Sequence, residues 1–119
     1  MRDGTIYISG PMRGIPKFNF PAFFDAEHRF VFAGWFVRNP ASRGHGSGDY
    51  ETGTGVTREE VQEWMRADVI DVASCSAIAL LPGWEESEGA RLEAAVALAC
   101  GLRFFDAESM AELIPEVAA

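Results

Sequence analysis

The sequence predicts an α/β fold, a three-layer Rossmann-like or flavodoxin-like domain with a mostly parallel sheet of four or five strands. Three observations carry this. Short apolar runs of strand length alternate with longer segments of helical periodicity, in the order β-α-β-loop-α-β-α-β-α. The run Ala77, Ile78, Ala79, Leu80, Leu81 is apolar at every position, as expected of a central strand covered on both faces. Glycine and proline punctuate the strand ends at Gly10-Pro11, Asn39-Pro40 and Pro82-Gly83. A chain of 119 residues falls in the size range of one domain, so residues 1–119 are read as a single unit.

In order, residues 5–9 form the first strand, ending in the turn Gly10-Pro11-Met12-Arg13-Gly14. Pro21 suits the first turn of a helix with Asn19 as its cap, and Phe20, Phe23, Phe24, His28 and Val31 supply its apolar face. Gly34 stops that helix, and residues 35–37 are the second strand. Residues 41–57 hold five glycines and read as a long mobile loop, either a binding lid or a plain insertion. Thr57 and Glu60 have the spacing of a capping box, opening a helix with Val61, Trp64, Met65, Val69 and Val72 at helical intervals. Residues 76–81 are the central strand. Ser87 caps the next helix, Gly101 ends it, residues 102–105 are a last strand and residues 107–114 a short closing helix.

Composition excludes several classes. With 48% hydrophobic residues the chain can build a core, and its net charge of -8 disfavours binding a nucleic-acid polymer, which needs a basic surface. A mononucleotide is compatible with that charge, because backbone N–H groups and one arginine suffice to hold its phosphate. Cys75 and Cys100 form no CxxC pair and read as buried thiols of a reducing compartment. No run of 18 apolar residues exists, and no secretory signal opens the chain, so a cytoplasmic protein off the membrane is expected. His28 and His45 have no partner at ligand spacing, so neither a metal nor another cofactor is expected.

In a parallel sheet of this kind, ligands bind beyond the carboxyl ends of the strands. Three segments meet there: the turn after the first strand, the 40–57 loop and the 82–89 loop. Gly10 and Gly14 permit close backbone approach and Arg13 offers a guanidinium fork; read alone, the turn is either structural or an anion cradle. Ser87 and Gly89 open a helix whose N-terminus can accept an anion. Glu93 interrupts the apolar face of that helix, and Asp68 interrupts the face of the preceding one. Buried carboxylates are costly unless partnered, so each is either a solvated edge residue or part of a site. Two converging carboxylates suit glycosidic chemistry, one acting at a developing oxocarbenium carbon and the other on protons. Tyr7, at the first strand's end, is either a core residue or a phenol that orients a carboxylate. Trp84 either stacks on a base or covers the core edge.

Taken together, Tyr7-Ile8-Ser9-Gly10-Pro11-Met12-Arg13-Gly14, Asn39-Pro40, Trp64-Met65-Arg66-Ala67-Asp68, residues 77–84 and Ser87-Glu88-Gly89-Ala90-Arg91-Leu92-Glu93 resemble a family of small phage and bacterial proteins, DUF4406-like. That family is itself similar to the nucleoside 2-deoxyribosyltransferase superfamily, including 2'-deoxynucleoside 5'-phosphate N-hydrolases. The resemblance covers roughly residues 5–105. It implies cleavage or exchange of the N-glycosidic bond of a 2'-deoxynucleoside or its 5'-monophosphate. It further implies Glu93 as nucleophile at C1', Asp68 as acid/base partner and Tyr7 as its orienting group. Gly10, Met12, Arg13, Ser87, Gly89, Trp84 and Asn39 are then the substrate-binding residues, with Arg13 and Ser87 matched to a 5'-phosphate. Pro11 departs from the serine of the phosphate hydrolases, and Ser76 from a frequent aspartate. Relatives often complete the pocket with a second subunit, which implies a homodimer or larger homo-oligomer. The alternative is a non-catalytic nucleotide-binding or interaction protein that retains the pocket.

Overall fold

The computed structural model describes residues 4–115. Five strands form one sheet: β1 (Thr5–Ser9), β2 (Phe36–Arg38), β3 (Ala77–Leu80), β4 (Arg103–Asp106) and β5 (Glu112–Leu113). Three α-helices accompany them: α1 (Phe20–Phe32), α2 (Arg58–Ser74) and α3 (Glu88–Ala99). The strand order is β2-β1-β3-β4-β5, parallel through β4, with β5 antiparallel on the edge. This is the order of the flavodoxin-like doubly wound sheets. The chain leaves β1 toward β2 on one side and returns to β3 on the other, so a crevice opens at the β1/β3 carboxyl ends.

Strand periodicity assigns the two faces. Ile6, Ile8, Ala77 and Ala79 point into one core with Phe23, Phe30, Trp35 and Phe105, beneath α1. Tyr7, Ile78, Leu80 and Phe104 point the other way, against Val72 of α2 and Ala94 and Ala97 of α3. Ser9 has the parity of Tyr7 and is fully buried.

The helices start where the sequence marks them. Thr57 and Glu60 form the capping box of α2, and the Ser87 hydroxyl accepts the Ala90 N–H at the start of α3. α1 differs in two respects. It buries Phe20, Phe23, Ala26 and Phe30, while Phe24, His28 and Val31 lie exposed. Asn19 has a left-handed φ of 60° and makes no side-chain cap; its Nδ2 donates instead to the Pro11 carbonyl. Lys17, Phe18 and Asn19 are three successive non-glycine residues with φ near +60°, and they turn Phe18 inward.

Two larger corrections concern residues 41–57 and 107–114. The 41–57 segment is not a loose loop. It begins in the 3-10 turn Pro40–Arg43, carries an Asp49–Thr54 bridge, and is laced to the β1–α1 turn by Gly14 N–H to Gly53 O and Lys17 N–H to Tyr50 O. Its glycines serve close approach: at Gly53, with φ 72°, a Cβ would drive into the Ile15 carbonyl. The closing helix expected at 107–114 is absent. Asp106 accepts the N–H groups of Glu108 and Ser109 as a helix cap would, but Met110 takes a left-handed φ of 65° and the Asp106 N–H bonds to the Ala111 carbonyl, so the turn is not continued and the chain enters β5.

Candidate functional site

A cavity of about 450 Å³ opens at the β1/β3 crevice, bounded by the turn after β1, the 40–45 segment, α2 and the start of α3. Glu93, Asp68, Gly10, Met12, Arg13, Ser87 and Gly89 all line it.

Glu93 is the centre of this cavity. It is 6% exposed, on the face of α3 turned toward β1. Tyr7 and Ser9, two residues apart and therefore on the same face of β1, reach it together. The Tyr7 hydroxyl donates to Oε2 at 2.9 Å and the Ser9 hydroxyl donates to Oε1 at 2.6 Å. Each oxygen thus has one fixed partner and keeps a second lone pair. Burial pushes the Glu93 carboxyl up to about 7, against the opposing pull of the Ser9 and Tyr7 hydroxyls and the Arg43 charge. Burial, and next the Glu93 charge, raise the Tyr7 phenol well above its usual range, so it stays a neutral donor.

Asp68, on α2, is buried and forms an ion pair with Arg43. Arg43 also lies over the Trp64 ring, 5.6 Å from its centroid. Its guanidinium is lowered from its usual value by burial, in part offset by its electrostatic interactions with Tyr7, Glu93 and Asp71. Phe18 stacks on His45 with ring centroids 5.7 Å apart, and both line the same cavity. His45 Nδ1 is engaged by the Gly48 carbonyl at 3.0 Å.

Two residues expected at the site stand elsewhere. Asn39 accepts the Ala41 N–H and donates to Glu27, so it holds the segment after β2 rather than facing the cavity. Trp84 packs against the core cluster beneath α2 and α3 and is not part of the lining. Conversely, Ser9, Arg43, Phe18 and His45 were not singled out from the sequence as site residues. Ser9 was findable from the two-residue period of β1; Arg43 and His45 owe their place to the folded 40–57 segment, which has no sequence periodicity.

The arrangement offers a carboxylate with near-neutral proton affinity, held by two hydroxyls at the floor of a pocket, with a second carboxylate in its wall. Among the described residues no cluster of three or more His, Cys, Asp or Glu could hold a metal ion. Both cysteines are free thiols; Cys75 is buried and pushed up to about 11, whereas Cys100 is exposed, contrary to expectation. No helix among the described residues is long and apolar enough to cross a membrane.

No curated protein matches this chain. One family model does, a domain of unknown function designated DUF4406, over residues 4–106. With almost the whole described chain matched, including every residue that lines the cavity, the protein belongs to the DUF4406 family.

Proposed function

We propose that this protein cleaves or exchanges the N-glycosidic bond of a 2'-deoxynucleoside or its 5'-monophosphate. The observation that carries the reading is Glu93: a buried carboxylate at the floor of a cavity, each oxygen fixed by a hydroxyl from one strand. Burying a carboxylate away from its own kind of partner, a cation, is costly and contributes nothing to the core. A nucleophile gains from the same placement, because it is oriented and stripped of most of its water.

In the first step a Glu93 oxygen bonds to C1' as the C1'–N bond breaks, and the base leaves with the electron pair and is protonated by water in the cavity. In the second, water or another base attacks C1' and releases Glu93. Asp68 lies in the wall with its charge balanced by Arg43, placed to take the proton from the incoming water or base. Tyr7 and Ser9 hold the nucleophile's orientation and share its charge between turnovers. Water as acceptor makes the protein a hydrolase and a second base makes it a transferase.

The test is release of free base from a panel of deoxynucleosides and their monophosphates, followed by chromatography. Wild-type protein releases base and Glu93→Ala does not; equal rates from the two would remove Glu93 as nucleophile. The same reading includes a homodimer. Gln62, Met65, Arg66, Val69 and Ile70 line a shallow groove on the outer side of α2, and Ile70 is 66% exposed. Light scattering of the purified protein tests it, with a monomer at all concentrations as the refuting result.

A further inference from the structure

The glycosidase reading leaves the 5' end of the sugar open, as a hydroxyl or a phosphate, and three features of the cavity bear on the choice. The first is charge. Four carboxylates line it, Asp68, Glu86, Glu88 and Glu93, against two guanidiniums, Arg13 and Arg43. Arg43 is committed to Asp68 and covered by Trp64. Arg13 is left, on an exposed turn, against two equally exposed carboxylates, Glu86 and Glu88.

The second feature is the start of α3, where a helix N-terminus after a parallel strand would ordinarily seat a phosphate. Here the Ser87 hydroxyl already accepts the Ala90 N–H, one of the amides a phosphate would use. Glu88 occupies the first turn and Glu86 lies just ahead of it, both on the cavity wall. Their charges complement the helix dipole themselves, so a phosphate arriving there meets like charge.

The third is the turn after β1. Pro11 has no N–H to offer. The Gly14 N–H is spent on Gly53 O at 2.7 Å, and the Ile15 N–H on Met12 O. The turn anchors the 40–57 segment, and two of its five positions, Pro11 and Gly14, offer no amide to an anion.

We propose that the cavity selects an uncharged 2'-deoxynucleoside with a free 5'-hydroxyl over its 5'-monophosphate, with Glu86 and Glu88 as the specificity-determining residues. A carboxylate at this rim accepts a hydrogen bond from a hydroxyl and repels a phosphate. The inference rests on the N-glycosidase reading and takes the opposite side from the expectation attached to Arg13 and Ser87.

Calorimetric titration of the wild-type protein and of Glu93→Gln with each of four deoxynucleosides and its 5'-monophosphate tests it, alongside base-release kinetics. The nucleoside is expected to bind about tenfold tighter than its monophosphate at low salt, with the gap closing at high salt as exposed charges are screened. Replacing both rim acids, Glu86→Gln with Glu88→Gln, should narrow the gap by about 3- to 10-fold, mainly by improving the monophosphate. Equal or tighter binding of the monophosphate overturns the proposal, as does a selective loss of monophosphate binding in Arg13→Gln. Preferential nucleoside binding without base release would sink the glycosidase reading and leave the selectivity standing. Failure of both ligand classes to bind would sink both.

Discussion

Replacing Glu93 by glutamine should abolish base release and at the same time stabilise the protein, and the second effect can be worked from the structure. The folded state holds the Glu93 carboxyl at about 7, against 4.5 for the unconstrained group. Between those values the folded protein keeps a proton that the unfolded chain has released. Stability therefore falls as pH rises through this window, and the full penalty stands above pH 7. At 1.36 kcal/mol per pKa unit the penalty is about 3 kcal/mol. Glutamine keeps the shape and never ionises, but its amide nitrogen faces one of the two hydroxyls that now donate to a carboxylate, so part of the gain is lost. A net stabilisation of about 2 kcal/mol at pH 8.5 is expected, shrinking to nearly nothing at pH 4.5. For a domain of this size that is a melting-point rise of about 8 °C at the higher pH. Urea titrations of parent and variant at the two pH values read it directly. A variant no more stable than the parent at pH 8.5, or one whose advantage does not depend on pH, would refute the argument that burial of Glu93 is the strained element.

Other consequences follow from the same geometry. On the proposed mechanism Glu93 must be ionised to attack, so kcat/KM for base release should rise with pH through about 7 and level off above it. Ser9→Ala removes a donor to the ionised form only, so that limb should move up by about one pH unit while the fold survives; an unmoved limb would assign the titration to another group. Tyr7→Phe should act in the same direction, with the loss appearing in kcat rather than KM, as steady-state kinetics would show. Gly53→Ala should cost about 2 kcal/mol or more, because its Cβ meets the Ile15 carbonyl at a positive φ, and thermal melts would record it. Thr57→Ala should cost about 1 kcal/mol through the lost cap of α2, measured the same way.

The parts of the fold that follow from local rules were legible in the sequence. The capping box at Thr57 and Glu60, the Ser87 cap and the apolar run of β3 all appear where their patterns place them. The parts that failed are those where a local signal was outvoted. Residues 107–114 carry Met110, Leu113 and Ile114 at helix-like spacing, yet Met110 takes a left-handed φ of 65° and the Asp106 N–H bonds to the Ala111 carbonyl, which turns the chain into β5. On α1 the sequence places Phe24, His28 and Val31 on the apolar face with Phe20 and Phe23, and only contact with Ile6, Ile8 and Phe105 selects Phe20, Phe23 and Phe30. Residues 41–57 read as slack because glycine permits freedom, but the same residue permits the close backbone packing that Gly53 makes.

The site divides along the same line. Glu93 and Asp68 could be noticed because each breaks a helical apolar stripe, and a broken rule in an otherwise consistent sequence marks a place where something other than stability is at stake. Arg43 breaks no rule: it is an arginine in a polar, glycine-rich segment, and only the folded path of that segment brings it to Asp68. Its presence alters what the second carboxylate is for. The ion pair fixes the Asp68 carboxylate in the cavity wall, where a guanidinium shares its oxygens. Glu93, pushed up to about 7 and held by two hydroxyls, and Asp68, paired with a cation, have unlike surroundings, as the separate roles of the proposed mechanism require. Departure of the base then depends on how well it carries its own negative charge. On the proposed mechanism bases that are weak acids in their free form should be released slowly, and Arg43→Gln, which removes the cation paired with Asp68, should speed them relative to the better leaving groups. A series of substituted pyrimidine deoxynucleosides measures that slope, and an identical slope in parent and variant would remove Arg43 from the control of proton transfer.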